Sequence, residues 1–556
     1  MGNSSSRRGS SLAEGTSLVV LSPIDHPKPA SNDSNAVTSE DGSNWTPPLR
    51  DVERRRDALD TFNHPRLRRV LILSALLHDT KVENKEASSS DPQKKSPLRS
   101  SSSFLLDHHN MMYAKTSTIT NGSEGLKALY GLVHSQRLLA FLQTAWYQWV
   151  ALGADGRDPS AFSRAEEQSS SPDAIPSVPP LIPINTALPR FHCDILDKPD
   201  PQRPSQHVIG QVGFFCTDTC TPIFDGLQRE LLRDAGLIQK ALQMVVQDTT
   251  KRHTSSSQGR LVVYCLPTHP GHHAAGDSFG GYCYVNHVAA LARGLQRHEE
   301  CLSNLKVPRK SKSKETPQDI QNRLEAEAAG VSSEVTVPPI PPTSLFPRVA
   351  ILDVDYHCGN GTASIFASDP SVLVVSLHCH PDYDYPFHMG FHEDRGHEDG
   401  NNTTLHLPLP PKTQWQGETK QEDVEAWSVC YKSALEYGLQ QIRDFDPQAV
   451  LVSLGLDTYD KDPCTIRRAG FCLQGDDYTQ MGATIAQGVP NGVPIVFVQE
   501  GGYRMEAVGQ AAANVIVGCC SNDILEDLRD GEDVGTAVPE EPVGEQSEKE
   551  AKSDEV

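Results

Sequence analysis

Five short apolar runs, each followed at once by reactive side chains, limit what this chain can fold into more than any other feature. They are Leu261 to Leu266 (L-V-V-Y-C-L), Val349 to Leu352 (V-A-I-L), Val372 to Leu377 (V-L-V-V-S-L), Ala449 to Leu454 (A-V-L-V-S-L) and Ile495 to Val498 (I-V-F-V). Branched and too short for helices, they read as strands buried on both faces, the pattern of a parallel sheet covered by helices. The first leads into T-H-P-G-H-H, with His272 and His273. The second leads into Asp353, Asp355 and His357, the third into His378, the fourth into Asp457, and the fifth into Q-E-G-G-Y with Tyr503. Ligands of open α/β sheets bind just beyond the carboxyl ends of the strands. Reactive groups gathered there predict an enzyme of the α/β class.

The second run is the most specific. Asp353, Asp355 and His357 occupy alternate positions, so on an extended chain their side chains point the same way. Gly359 and Gly361 then let the backbone turn sharply. Asp355, His357 and Asp457 together offer two carboxylates and one imidazole. That set leaves positions open for water and substrate, as a catalytic zinc site requires. Hydrolysis beside such an ion needs a general acid–base near neutrality, which histidine supplies. His272 and His273 each need a partner to fix a tautomer, and Asp353 and Asn360 are the nearest polar residues of the right kind. An aspartate would hold its histidine charged, whereas an asparagine would leave the other free to cycle. Tyr503, after two glycines, can place its hydroxyl on a substrate carbonyl and stabilise the oxyanion. Each residue alone has a duller reading: packing for Tyr503, a surface accident for the tandem histidines, a helix cap for Asp457. Their shared place after separate strands outweighs those readings.

The chain has 556 residues, 37% of them hydrophobic, with 40 Gly and 40 Pro. So low an apolar share predicts one catalytic domain diluted by disordered segments. Those segments are residues 1–60, rich in Ser, Asn, Pro and Arg, low-complexity insertions at about 84–103, 156–183 and 301–346, and an acidic tail, 521–556; the catalytic domain is 61–520. The tail holds 13 acidic and 3 basic residues, so about ten of the net −22 charges lie there. An acidic balance argues against direct nucleic-acid binding. The 13 cysteines lack disulfide or zinc-finger spacing, which predicts reduced thiols and an intracellular location, nucleus or cytoplasm. The basic run P-R-K-S-K-S-K reads as a solvated loop ahead of a weak nuclear import signal. The amino terminus M-G-N-S-S-S-R-R fits N-myristoylation of Gly2, a weak membrane attachment by itself. Helices are expected over His64–Thr80, within Gly125–Leu152, within Gly213–Leu242, over Tyr284–Arg297, and around Val424–Arg443, Tyr478–Gln487 and Ala507–Cys519. Asp218 lies in the polar lead-in to the third of these, where a helix cap is the plain reading.

The segments P-G-H-H-A, G-Y-C-Y-V-N, D-V-D-Y-H-C-G-N-G-T, G-L-D-T-Y-D-K-D-P and E-G-G-Y resemble, in order and spacing, the signatures of the zinc-dependent histone deacetylase superfamily. The resemblance runs from about His64 to Cys520. F-L-Q-T-A-W, D-T-C-T-P and Y-P-F-H-M-G are similar to its acetylpolyamine amidohydrolase branch in particular. It implies the arginase/deacetylase fold, a mainly parallel sheet with helices on both faces. By resemblance, Asp355, His357 and Asp457 bind one zinc ion, His273 is the general base, His272 its electrostatic or acid partner, and Tyr503 binds the acetyl carbonyl. Gly281 and Tyr282 match one wall of a narrow substrate tunnel, Phe387 or His388 the opposite wall, and Asp218 a rim carboxylate. A structural potassium ion would take oxygens from Asp353, Asp355, His357, Ser376 and Leu377. Two positions depart from the family pattern: Cys358 stands where a second histidine is usual, and His287 where asparagine often is. The implied activity is removal of acetyl groups from lysine side chains of proteins, histones included. Deacetylation of acetylpolyamines is the alternative, and an inactive interaction scaffold a second one, against which the intact ligand and histidine set argues. Oligomeric state is left open.

Overall fold

A computed structural model describes residues 17–22, 68–69, 71–73, 75–76, 123–151, 182, 204–254, 259–304, 339–396, 403–411, 431–460, 462–465 and 471–520. Seven strands form one sheet: β1 Ser17–Leu21, β2 Leu261–Cys265, β3 Val349–Asp353, β4 Val372–Cys379, β5 Thr404–Leu409, β6 Ala449–Leu454 and β7 Ile495–Gln499. Their order is β1-β2-β7-β6-β3-β4-β5, and every neighbouring pair is parallel.

The continuous apolar runs follow from burial on both sides. Along β3, Val349 and Ile351 enter one core while Ala350 and Leu352 enter the other; β1, β2, β4, β6 and β7 divide their apolar side chains the same way, whereas the leucines of β5 all enter the second core. The first core packs against α1 Ser123–Tyr130, α2 Gln136–Ala151, α3 Val208–Phe215, α4 Leu227–Thr254, α5 His287–Gln296, α6 His298–Asn304 and α7 Asn360–Phe366. The second packs against α8 Lys432–Phe445, α9 Gly475–Gly488, α10 Met505–Cys520 and helical positions between residues 68 and 76. The helix expected over His64–Thr80 is therefore present where it is described.

From β3 the chain winds outward through β4 and β5, then returns to the other side of β3 as β6 and β7. The strand order thus reverses between β3 and β6, and a crevice opens at such a point beyond the carboxyl ends.

Two strands escape the sequence reading. β1 lies within the stretch expected to be disordered. S-L-V-V-L pairs in register with β2, and Leu18 to Leu21 are buried. β5, T-L-H-L-P-L, alternates in character and contains Pro408, which suits the sheet edge it occupies. The insertion expected over 301–346 is also too wide at both ends: Cys301 belongs to α6, and Phe346 is fully buried in the first core. Gly2, residues 84–103, all of 156–183 except Ile182, residues 305–338 and the acidic tail lie outside the described residues.

Candidate active site

Beyond β3 and β6 the backbone is held by the carboxylates it presents. Asp353 Oδ1 accepts the amide of Asp355 at 3.1 Å, and Asp355 Oδ1 accepts the amide of His357 at 2.9 Å. Asp457 Oδ1, after β6, accepts the amide of Tyr356 at 2.9 Å, which ties the two strand ends together. Gly501, after β7, donates its amide to Asp355 Oδ2 at 2.9 Å; a Cβ there would lie 2.7 Å from the same oxygen. Only glycine fits. In this frame Asp355, His357 and Asp457 each bring a ligand atom within 4.8 Å of the others, and His357 Nδ1 stands 3.0 Å from Asp457 Oδ2. All three are buried.

The chemistry of these donors fits a divalent ion. Burial, then the charge of Asp355, pushes the Asp457 carboxyl up to about 6. Two carboxylates opposing each other away from water are stabilised by a dication between them. Two oxygens and one imidazole nitrogen form a donor set that zinc takes.

The histidine pair sits on the loop after β2. Glu500 Oε2 accepts the amides of Gly271 and His272 at 2.5 and 3.2 Å, and Glu230 Oε2 is 2.7 Å from His269 Nε2. His272 Nδ1 lies 3.0 Å from Asp353 Oδ2, His273 Nδ1 lies 2.7 Å from Asn360 Oδ1, and the two rings are 4.0 Å apart. Their environments pull them in opposite directions. Burial depresses His272, but the carboxylates of Asp355 and Asp353 overcome it and push the ring up to about 10. Burial and the positive charges of His272 and His357 hold His273 well below its ordinary value. At neutral pH one ring is a cation and the other a free base.

These groups line a cavity of about 310 Å³, together with Tyr282, Tyr385, Cys464 and Tyr503. Burial holds the Tyr503 phenol well above its usual range, so it stays a donor. Its backbone is fixed by Asp462 Oδ2, which accepts the amides of Tyr503 and Arg504 at 2.8 and 3.0 Å. Tyr282, 5.9 Å from the Tyr503 ring, takes a positive φ of 64° directly after Gly281 at 58°. A Cβ on Gly281 would meet His273 Cγ at 2.8 Å, so ring and turn can approach only because that side chain is absent.

The sequence expectation shifts at two places. Phe387 and His388 are exposed, and the aromatic ring from this loop that lines the cavity with Tyr282 is Tyr385, edge-on to His273 at 4.9 Å. The turn after β4 causes this: Asp384 is buried and its Oδ1 accepts the Tyr385 amide at 2.8 Å, which seats Tyr385 inward two residues before Phe387. Asp218 spends its carboxylate on its own loop. Its oxygens accept the amides of Cys220 and Thr221 at 2.8 and 2.9 Å, the Thr221 hydroxyl at 2.9 Å and the Gly281 amide. It therefore anchors the turn that carries Gly281 and Tyr282, and Cys220 lines the cavity beside it. Of the potassium residues, Asp353 and Ser376 are register partners across β3 and β4. The reading from sequence missed Glu500 and Asp462. Both lie inside quoted motifs, Glu500 in E-G-G-Y and Asp462 in G-L-D-T-Y-D-K-D-P, and the signal, a carboxylate beside a strand end or a Pro, was there to read.

The sequence pattern of the histone deacetylase domain matches residues 102–305 and 342–519. The chain is 30% identical over 386 residues to acetylpolyamine amidohydrolase 1 of Pseudomonas aeruginosa, across 69% of this chain and 81% of that protein. With histone deacetylase 7 of Homo sapiens it shares 25% identity over 259 residues, 46% of this chain and 21% of that protein. Among solved structures, an acetylpolyamine aminohydrolase from Burkholderia pseudomallei gives a TM-score of 0.46 at 22% identity, covering 74% of this chain and 85% of that one. A domain pattern matched over more than half of its residues is what decides the matter: the chain belongs to the histone deacetylase domain family.

Proposed function

We propose that this deacetylase of the histone deacetylase superfamily hydrolyses the acetyl amide of N-acetylated polyamines. The supporting comparison is the likeness to a protein named acetylpolyamine amidohydrolase over 81% of that protein's length, against 21% of histone deacetylase 7. It supports the polyamine reading better than the protein-lysine reading that the tails and insertions favoured in the sequence. Exposed acidic residues after β4, Asp382 and Glu393 among them, offer a negative surface to a polycation.

The observation that carries the chemistry is the division of the two histidines, one on Asp353 and one on Asn360. Asp355, His357 and Asp457 would hold a zinc ion, which when bound supplies Lewis acidity toward a carbonyl oxygen and a water. His273, uncharged, takes the proton of the attacking water and returns one to the departing amine. His272, cationic on Asp353, stabilises the negative charge that builds in between. Tyr503 donates to the oxygen where that charge concentrates. Tyr282 and Tyr385 confine the chain of the amine. A potassium ion on oxygens of Asp353, Asp355, His357, Ser376 and Leu377 would offset the buried Asp353 carboxylate, whose pKa burial raises.

The test is kcat/KM for N-acetylputrescine and for an acetyl-lysine peptide on the same purified protein. A preference for the polyamine is expected. Preference for the peptide would return the protein-lysine reading, and turnover of neither would leave only a scaffold.

A further inference from the structure

We propose that Cys358, His378 and His406 form a second transition-metal site, separate from the one at Asp355, His357 and Asp457. The three come from neighbouring strands: Cys358 follows β3, His378 lies in β4 and His406 in β5. All are buried, and their donor atoms lie within 4.8 Å of one another. Cys358 Sγ is 3.7 Å from His406 Nδ1. Tetrahedral zinc with ordinary Zn–S and Zn–N bonds sets that edge at about 3.5 Å, so this pair already has its bound separation. The other two separations also fall within 4.8 Å, a reach that side-chain rotation closes.

The space between the donors is kept open. Gly390 adopts φ 99°, and a Cβ there would lie 2.7 Å from both Cys358 Sγ and His378 Nε2. Its carbonyl accepts the His378 Nε2 proton at 2.8 Å, and an ion that displaced that proton would find the carbonyl beside it as a fourth ligand. His378 Nδ1 faces Ser376 Oγ at 2.8 Å. With Nε2 donating to that carbonyl, Nδ1 accepts from the Ser376 hydroxyl; because a hydroxyl can also accept, metal binding can move the ring proton from Nε2 to Nδ1 and turn Nε2 to the ion, the usual arrangement around ligating histidines. On binding, the Cys358 thiol gives its proton to solvent and one thiolate faces the dication. Asp394, whose Oδ2 accepts the Gly390 and Phe391 amides at 2.9 and 3.0 Å, adds a second negative charge to the same loop. One sulfur with two imidazoles selects zinc or a similarly soft cation over magnesium or calcium. Such an ion would pin the loop that carries Tyr385 to the edge of the sheet.

Cobalt(II) separates the two sites, because the first contains no sulfur. The full-length protein reconstituted with cobalt should bind two equivalents and show thiolate-to-cobalt charge-transfer absorption. The Asp457→Ala protein should keep the absorption with one equivalent. Cys358→Ser and His406→Ala should each lose it together with one equivalent. A wild-type protein that binds one equivalent without the absorption overturns the proposal whether or not the variants fold, and so does absorption that persists in Cys358→Ser.

Discussion

Two imidazoles 4.0 Å apart would titrate alike in water; here the charges around each ring set them apart. Asp355 and Asp353 keep His272 protonated, and the amide oxygen of Asn360 orients His273 without charging it. Replacing Asn360 by Asp should therefore raise the His273 pKa. The base would be present only above that raised value, so the acid limb of the kcat/KM profile should move to higher pH, by about 1 unit or more. An unmoved limb would show that another group sets it. His273→Ala and Tyr503→Phe should each lower turnover by about a hundredfold or more with unchanged circular dichroism, the usual size of acid–base and oxyanion effects. Near-normal turnover in either would remove that residue from its role. The alternation of Asp353, Asp355 and His357 made this level legible, because strand periodicity alone points them one way. Tyr385 was not legible: in the aromatic-rich Y-D-Y-P-F, only the Asp384 turn decides which ring faces inward.

Elements hold these side chains through loops that tolerate little change. Gly281→Ala would place a methyl against the His273 ring at a positive φ of 58°. The backbone strain alone costs on the order of 1–2 kcal/mol, and the clash displaces the base. We expect activity to fall further than stability does. A drop in Tm with kcat retained would mean the turn matters only to folding. Central strands were readable because burial on both faces leaves an unbroken apolar run. Edge strands were not. β1 is a five-residue strand in a polar leader, and β5 carries His406 and Pro408, so neither has the composition of a covered strand. Their identity comes from pairing with β2 and β4, which sequence periodicity does not report.

At the scale of the molecule, four adjacent strands, β2, β7, β6 and β3, deliver the histidine pair, Glu500, Asp457 and Asp355 to one crevice. Residues more than 180 positions apart in sequence meet there because the winding direction reverses between β3 and β6. Among the described residues no helix is long and apolar enough to cross a membrane. The fold class was legible before the structure because the strand runs and the residues after them agree. The substrate was not, since both cationic substrates match an acidic mouth equally well. Everything in the chemical account passes through the gathering of Asp355, His357 and Asp457 around one ion. Acetate release from N-acetylputrescine by Asp457→Ala, measured beside wild type in the same zinc-replete buffer, tests it most directly. The account predicts a loss of about a thousandfold or more, the scale of several kcal/mol of lost charge stabilisation; turnover comparable to wild type would contradict it.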